Sequence, residues 1–476
     1  MALNKVSANL FKHSSTWNLG HTFNKFHTSF INLRIQVAGY NINVPRLSPN
    51  EVNTVLRANE YSQEFTSGPV KSYDTNQLAS NSPIEDTRAE ALCKSTNGVF
   101  AGIFDGHAGA SCAQVVAKRL FHYMLAASLS PQQLSSLSTT FDEDNQLLEW
   151  YNNKYDFVDQ LKTVYSNSFK RYVADLQAEG IVREKKEALE HSFLRLDSDL
   201  STEATSGGDR KTMAVAMSGC VACVAIIEGS SVHIASSGDA GAVVGVLSEN
   251  GKCWTARKLS IEHNTDNRSE VERILSEHPV EERHRVLDRE RLLGQLAPLR
   301  AFGDFRYKWS REMLEQLAVP LFGTEVIAPH YETPPYLTCK PDVTYRRLTP
   351  RDKFLVIASD GLWDLLSPLQ VVRMVGEHMS GKAALSPLRL PRDIKLRDVH
   401  KILSTRRQGL DKVPVDRNAA THLIRNALGG TEYGEVEHSR VSQLLSLPQD
   451  VVRLFRDDIT VTVIYFDSDF ITHCPM

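Results

Sequence analysis

Acidic residues stand at the edges of apolar runs at several points along this chain of 476 residues, a placement in which carboxylates can hold a metal. Val99 to Phe104 reads VFAGIF and leads into Asp105-Gly106-His107-Ala108-Gly109. Phe354 to Ala358 reads FLVIA and leads through Ser359 into Asp360-Gly361. Val232 to Ala235 passes through two serines into Gly238-Asp239, and Asp457-Asp458 opens onto the run Ile459 to Tyr465. Charge is costly to bury and like charges repel, so several carboxylates aimed from strand ends call for a cation. Every donor is oxygen, which selects a hard ion, Mg²⁺ or Mn²⁺.

The elements that must position these groups follow from periodicity. The β-branched runs read as strands, with two or three between Val215 and Val246. After DGHAG, residues Ala113, Val116, Ala117, Leu120, Phe121, Met124 and Leu125 fall on one face of a helix. Helix signals open at Ser48-Pro49-Asn50, and residues 149–200 read as helical with one break at Gly180. Shorter helices are expected over 267–277 and 311–318. Lys382 to Asp416 reads as a basic, loop-like insertion broken by Pro387, Pro391 and Pro414. Such irregular alternation predicts an α+β fold, a central antiparallel β-sandwich flanked by helices, rather than a doubly wound sheet. Motifs spread from Glu85 to Asp458 must converge on one site. One catalytic domain over 46–470 is therefore expected, with insertions near 311–336 and 382–450.

Composition narrows the class. The chain is 42% hydrophobic and 23% charged, with net charge −3, which favours neither nucleic acid nor an anionic membrane as partner. No run approaches the ~18 apolar residues of a membrane span. Seven scattered cysteines fit reduced thiols. Cys220 and Cys223, three apart in a strand, point to opposite faces and cannot share a metal. Residues 1–45 contain no Asp or Glu but include Lys5, Lys12, Lys25 and Arg34, which fits a mitochondrial targeting presequence.

Glu85-Asp86, FDGHAG, SDGLWD (Ser359 to Asp364) and RDDIT (Arg456 to Thr460), taken in order, resemble the metal-dependent serine/threonine protein phosphatases of the 2C type. The resemblance covers nearly the whole chain after about residue 50 and implies a β-sandwich holding two Mg²⁺ or Mn²⁺ ions. By resemblance, Asp105 bridges the ions, Glu85 and the Gly106 carbonyl serve one, and Asp360 and Asp457 serve the other. Asp86 is implied to orient a water, and Asp239 to help hold a weaker third ion. Phosphomonoester hydrolysis needs a nucleophilic water and charge neutralisation on the phosphoryl group, which paired metals supply. The leaving alkoxide needs a proton, for which His107 is the candidate general acid.

Two positions depart from the pattern. The family commonly places Arg four residues before the metal-binding Glu to hold phosphate, and here that place falls to Asn81, which brings no charge. Where the family reads GDSR, Asp239 is followed by Ala240-Gly241. Within the family, NQLASNSPIED (Asn76 to Asp86), LAPLRAFGDFRYKWS (Leu296 to Ser310), PPYLTCKPDVTYRRL (Pro334 to Leu348) and NAATHLIRNALGG (Asn418 to Gly430) resemble the subfamily acting on pyruvate dehydrogenase. That implies the phosphorylated dehydrogenase component as substrate, activation on dephosphorylation, and a mitochondrial matrix location. It also implies docking on a lipoyl domain of the acyltransferase core, in some members with Ca²⁺ and a regulatory subunit. A broad-specificity phosphatase and an inactive scaffold of the same fold are the alternatives. A near-Walker loop, Gly376 to Ala383, has Ala where Mg²⁺ ligation needs Ser or Thr, and no Cys has Arg six residues on.

Overall fold

In a computed structural model of the chain, residues 35–37, 40–42, 46–135, 137, 147–151, 161–207, 209–385, 395–410, 414–429 and 436–474 are described. Met1–Arg46 and Leu47–Met476 form separate units. In the first, Ile35–Val37 pairs with Tyr40–Ile42 as an antiparallel hairpin. Apart from that hairpin, the targeting segment expected over 1–45 lies outside the described residues.

The alternating runs of the second unit pair into two antiparallel sheets. Their strands in chain order are β1 (Tyr61–Glu64), β2 (Val70–Leu78), β3 (Thr87–Cys93), β4 (Gly98–His107), β5 (Leu148–Trp150) and β6 (Gly219–Glu228). They continue as β7 (Ser231–Ser237), β8 (Gly241–Leu247), β9 (Trp254–Lys258), β10 (Asp342–Arg347), β11 (Asp352–Ala358) and β12 (Ile459–Phe466). One sheet has the order β9-β8-β11-β12-β2-β1. The other has β10-β7-β6-β4-β3-β5, with the short strand Phe302–Gly303 added against β6.

Both faces of the first sheet are covered at its centre, so β11 and β12 bury both sets of alternating side chains, while the edge strands β1 and β9 stay largely exposed. On β12, Ile459, Val461 and Val463 join Phe354, Val356 and Ala358 of β11 in a core under helices. Ile464, with Leu355 and Ile357, joins the larger core shared with the second sheet. The helices are α1 (Pro49–Arg57), α2 (Ser111–Ala127), α3 (Lys162–Glu179), α4 (Lys185–Gly207), α5 (Arg210–Met217), α6 (Arg268–Glu277), α7 (Pro368–Leu385), α8 (Leu396–Leu410), α9 (Ala419–Gly429) and α10 (His438–Leu445). α7 and α9 pack on the first sheet, and α2 packs on β3, β4 and β6 with α4 against it. That second layer explains why α2 is buried on both sides rather than along the single expected stripe. Even Arg119 is inside, paired with Glu203 at 2.8 Å.

Local signals start and stop several elements where the sequence places them. Ser48 closes a capping box with Glu51, Asn267 caps α6, and Gly180 ends α3 in the left-handed region at φ 64°. Elsewhere the structure differs. Val215 lies in α5, and Leu148–Trp150 is a strand rather than the start of a helix. The stretch expected to be loop-like over 382–416 contains α8, packed against α7. Its Leu396, Val399, Ile402 and Leu403 recur at helical spacing, and Pro414 lies beyond its end. Pro387 and Pro391 fall outside the described residues.

Candidate metal centre

The two sheets deliver their acidic residues to one end of the sandwich. β4 carries Asp105, Gly106 and His107 in register with Val221, Cys220 and Gly219 of β6, and Asp86 immediately precedes β3. β11 and β12 are antiparallel neighbours, so Asp360, just after one, and Asp457, just before the other, are brought side by side. Reciprocal bonds hold that corner: Thr460 N donates to Ser359 Oγ at 3.0 Å, and Ser359 N donates to the Thr460 carbonyl at 3.1 Å. Asp239 lies in the connection from β7 to β8, where the chain crosses between sheets. Gly106 is a close approach, because a Cβ there would lie 2.4 Å from the Glu85 carbonyl oxygen.

Electrostatics shows how tightly the carboxylates are gathered. Asp105 is pushed well above the usual range by burial and then by Asp86, Asp360, Asp239 and Asp457. Burial, followed by Asp239, Asp457, Asp364 and Asp86, raises Asp360. Asp86 is pushed up to about 7 and Asp239 to about 6, in both cases with burial as the largest cause. Two further acids, Asp364 and Glu262, contribute repulsion at Asp239. Among the described residues, Asp86 Oδ2 and Asp360 Oδ1 are buried oxygens without a hydrogen-bond partner. Among the described residues no three acidic, His or Cys side chains are already drawn tightly enough to cage an ion. The fit to a hard divalent cation therefore rests on an all-oxygen donor set, mutual repulsion and orphaned oxygens.

These shifts set the sign of a pH effect on stability. Each raised carboxyl binds its proton more tightly in the folded protein than in the unfolded chain, so folding favours low pH. This contribution is complete below about pH 3.8 and is lost as pH rises through about 6 for Asp239 and about 7 for Asp86. EDTA-treated protein should therefore melt at lower temperature at pH 7.5 than at pH 5.5 on this account. Mn²⁺ should raise the melting temperature more at pH 7.5, and equal shifts at both values would contradict the assignment.

Glu85 stands on a loop organised by Asp458. The Asp458 carboxylate accepts from Ser80 N at 2.5 Å, Asn81 N at 2.9 Å, Asn81 Nδ2 at 3.0 Å and Glu85 N at 2.9 Å. Asn81 Nδ2 also donates to Glu85 Oε2 at 3.0 Å, and Gly109 N donates to Glu85 Oε1 at 2.6 Å. Arg456 fastens the same loop through Ser80 Oγ at 2.6 Å and the Ala79 carbonyl at 2.7 Å. Replacing Asp458 with Ala leaves these donors without their buried acceptor, for an expected loss of about 3 kcal/mol. Chemical denaturation should show it, together with weaker Mn²⁺ binding by calorimetry; wild-type values in both would refute the positioning role.

His107 meets a residue that the motifs alone do not assign. Its Nε2 lies 2.5 Å from Asp304 Oδ2, across 197 positions of chain. Asp304 sits in the left-handed region at φ 50° and is held by its N–H donating to the Ser218 carbonyl at 3.0 Å. Burial opposes charge on His107, but Asp304, with Asp239 and Glu85, outweighs it and raises the imidazole above its ordinary value. Gly219 makes room: a Cβ there would fall 2.0 Å from His107 Nε2 and 2.2 Å from Asp304 Oδ2. The only sequence trace of Asp304 is its place in the FGDF run (Phe302 to Phe305).

The structure thus brings Glu85, Asp86, Asp105, Gly106, His107, Asp239, Asp360 and Asp457 to one place, with Asn81 beside Glu85. The protein phosphatase 2C family model matches residues 157–395. Human mitochondrial pyruvate dehydrogenase (acetyl-transferring) phosphatase 1 is 42% identical over 449 residues, covering 89% of this chain and 83% of that protein. The human mitochondrial phosphatase 2 of the same name is 41% identical, covering 90% of this chain and 84% of its own length. A Saccharomyces cerevisiae counterpart is 30% identical, covering 88% of this chain and 73% of that protein.

Proposed function

This chain belongs to the protein phosphatase 2C family, and from that premise we propose that it releases phosphate from phosphoserine on the pyruvate dehydrogenase component, activating it. It is a metal-dependent protein serine/threonine phosphatase, a phosphoric monoester hydrolase of mitochondria. The observation that carries the reading is the gathering of acids from both sheets around Asp105, beside a histidine paired with Asp304. The matrix location, two-ion stoichiometry, weaker third ion, lipoyl-domain docking and control by Ca²⁺ or a regulatory subunit belong to the same proposal, by subfamily resemblance.

Asp105, Glu85, the Gly106 carbonyl, Asp360 and Asp457 would hold the ions, with Asp239 available to a third. When bound, such ions supply charge neutralisation for the phosphoryl group and acidify the attacking water. Asp86, with an unpartnered oxygen, orients that water. His107 hands its proton to the departing serine oxygen, and Asp304, against Nε2, orients the ring and favours its charged form. Asp458 keeps Glu85 in position.

The test is phosphate release from phosphorylated pyruvate dehydrogenase, with Mg²⁺ and then with excess EDTA, against unrelated phosphoproteins. Mg²⁺-requiring turnover that is fastest on the dehydrogenase is the expected result. Equal rates on every phosphoprotein would leave a general phosphatase, and no turnover with either Mg²⁺ or Mn²⁺ would favour a scaffold.

A further inference from the structure

Asn81 occupies the place from which an arginine would hold substrate phosphate, yet both amide N–H groups it could offer are committed. They point at Glu85 Oε2 and Asp458 Oδ2, each at 3.0 Å. A neutral amide already donating to two carboxylates has little left for a dianion. Beyond the charge that bound ions supply, any side-chain cation gripping the phosphate must therefore come from another position, and a guanidinium is the group whose fork fits two phosphate oxygens.

Two arginines flank the site on the segment entering β12. Arg456 is spent on the loop: it donates to Ser80 Oγ and to the Ala79 carbonyl, and it is half-buried. Arg453 differs in each respect. It follows the short helical turn Gln449–Val452, its side chain is 44% exposed, and its Nη1 donates to Asp457 Oδ1. Burial raises Glu85 above the ordinary carboxylate range, and the Arg453 charge is among the influences pulling it back. The guanidinium is thus held against Asp457, one of the candidate metal ligands, at the edge of the site.

We propose that Arg453 is the phosphate-binding arginine of this chain, supplied from the β12 side of the cleft in place of the one missing at position 81. The inference rests on the phosphatase reading above. In the structure Arg453 pairs with Asp457. Once Asp457 shares its charge with a cation, that pair weakens and the planar fork can turn to two phosphate oxygens. A guanidinium on an exposed, long side chain makes this turn without moving backbone.

The test compares Arg453→Gln and Arg453→Lys with the unaltered full chain in three measurements. On a phosphoserine peptide, Arg453→Gln should raise KM about tenfold to a hundredfold while kcat changes far less, with Lys recovering part of the loss. Calorimetric binding of inorganic phosphate in the presence of Mn²⁺ should weaken by a similar factor. Mn²⁺ binding itself should be unchanged or tighter, since Asp457 loses a competitor. Unchanged KM and phosphate affinity would overturn the proposal, as would a loss explained wholly by weaker Mn²⁺ binding. If the unaltered protein released no phosphate from any substrate, the phosphatase reading would fail, and inorganic phosphate binding would still decide the role of Arg453.

Discussion

Asp105→Asn is expected to cut Mg²⁺- or Mn²⁺-dependent phosphate release at least ~1,000-fold, since metal stabilisation of the transition state is worth several kcal/mol. The same substitution should leave the metal-free protein as stable as before or more so. Asp105 is a carboxylate crowded by others on every side, feeling Asp86, Asp360, Asp239 and Asp457 at once. Removing its charge relieves that repulsion, whereas removing a merely structural acid would not. The paired readout is thermal melting with and without Mn²⁺: the variant should lose most of the Mn²⁺-induced rise. A wild-type rate in the variant would show the metal assignment to be wrong.

The second large effect separates leaving groups. His107→Ala should slow hydrolysis of phosphoserine by ~100- to 1,000-fold, the usual worth of a positioned general acid. Hydrolysis of an aryl phosphate such as p-nitrophenyl phosphate should fall much less, because its leaving group departs without a proton. Asp304→Asn should reproduce a smaller version of the same split, since the ring remains but loses its 2.5 Å carboxylate partner. It should also move the alkaline limb of the rate profile to lower pH, because Asp304 leads the charges that hold the imidazole above its ordinary value against burial. Equal losses on both substrates would assign His107 a structural or metal-positioning role instead.

Both effects turn on residues with very different visibility. Asp105 is readable because an apolar run bounded by an acid is a short-range pattern, complete within about ten residues of chain. The same holds for Asp360 and Asp457, and for the β-branched runs that make β11 and β12 recognisable as strands. Asp304 offers no such pattern. Its partner is 197 positions away, and an Asp in a glycine-containing turn is ordinary until the register of β4 on β6 places His107 opposite Gly219. The helix α8 escapes a reading by composition for the opposite reason: its apolar repeat is present, but nearby prolines and basic charge dominate the segment.

By itself, then, the sequence determined the runs that become β4, β7, β11 and β12, the carboxylates at their ends, the kind of ion these select and the sandwich that unites them. Each of those follows from local periodicity and from the cost of burying charge. Only the tertiary structure decided who holds whom: Asp304 behind His107, Asp458 beneath Glu85, and Arg453 against Asp457. Hydrogen bonds and ion pairs act over about 3 Å in space and are indifferent to distance along the chain. Their partners become definite only when the sheets are paired in register.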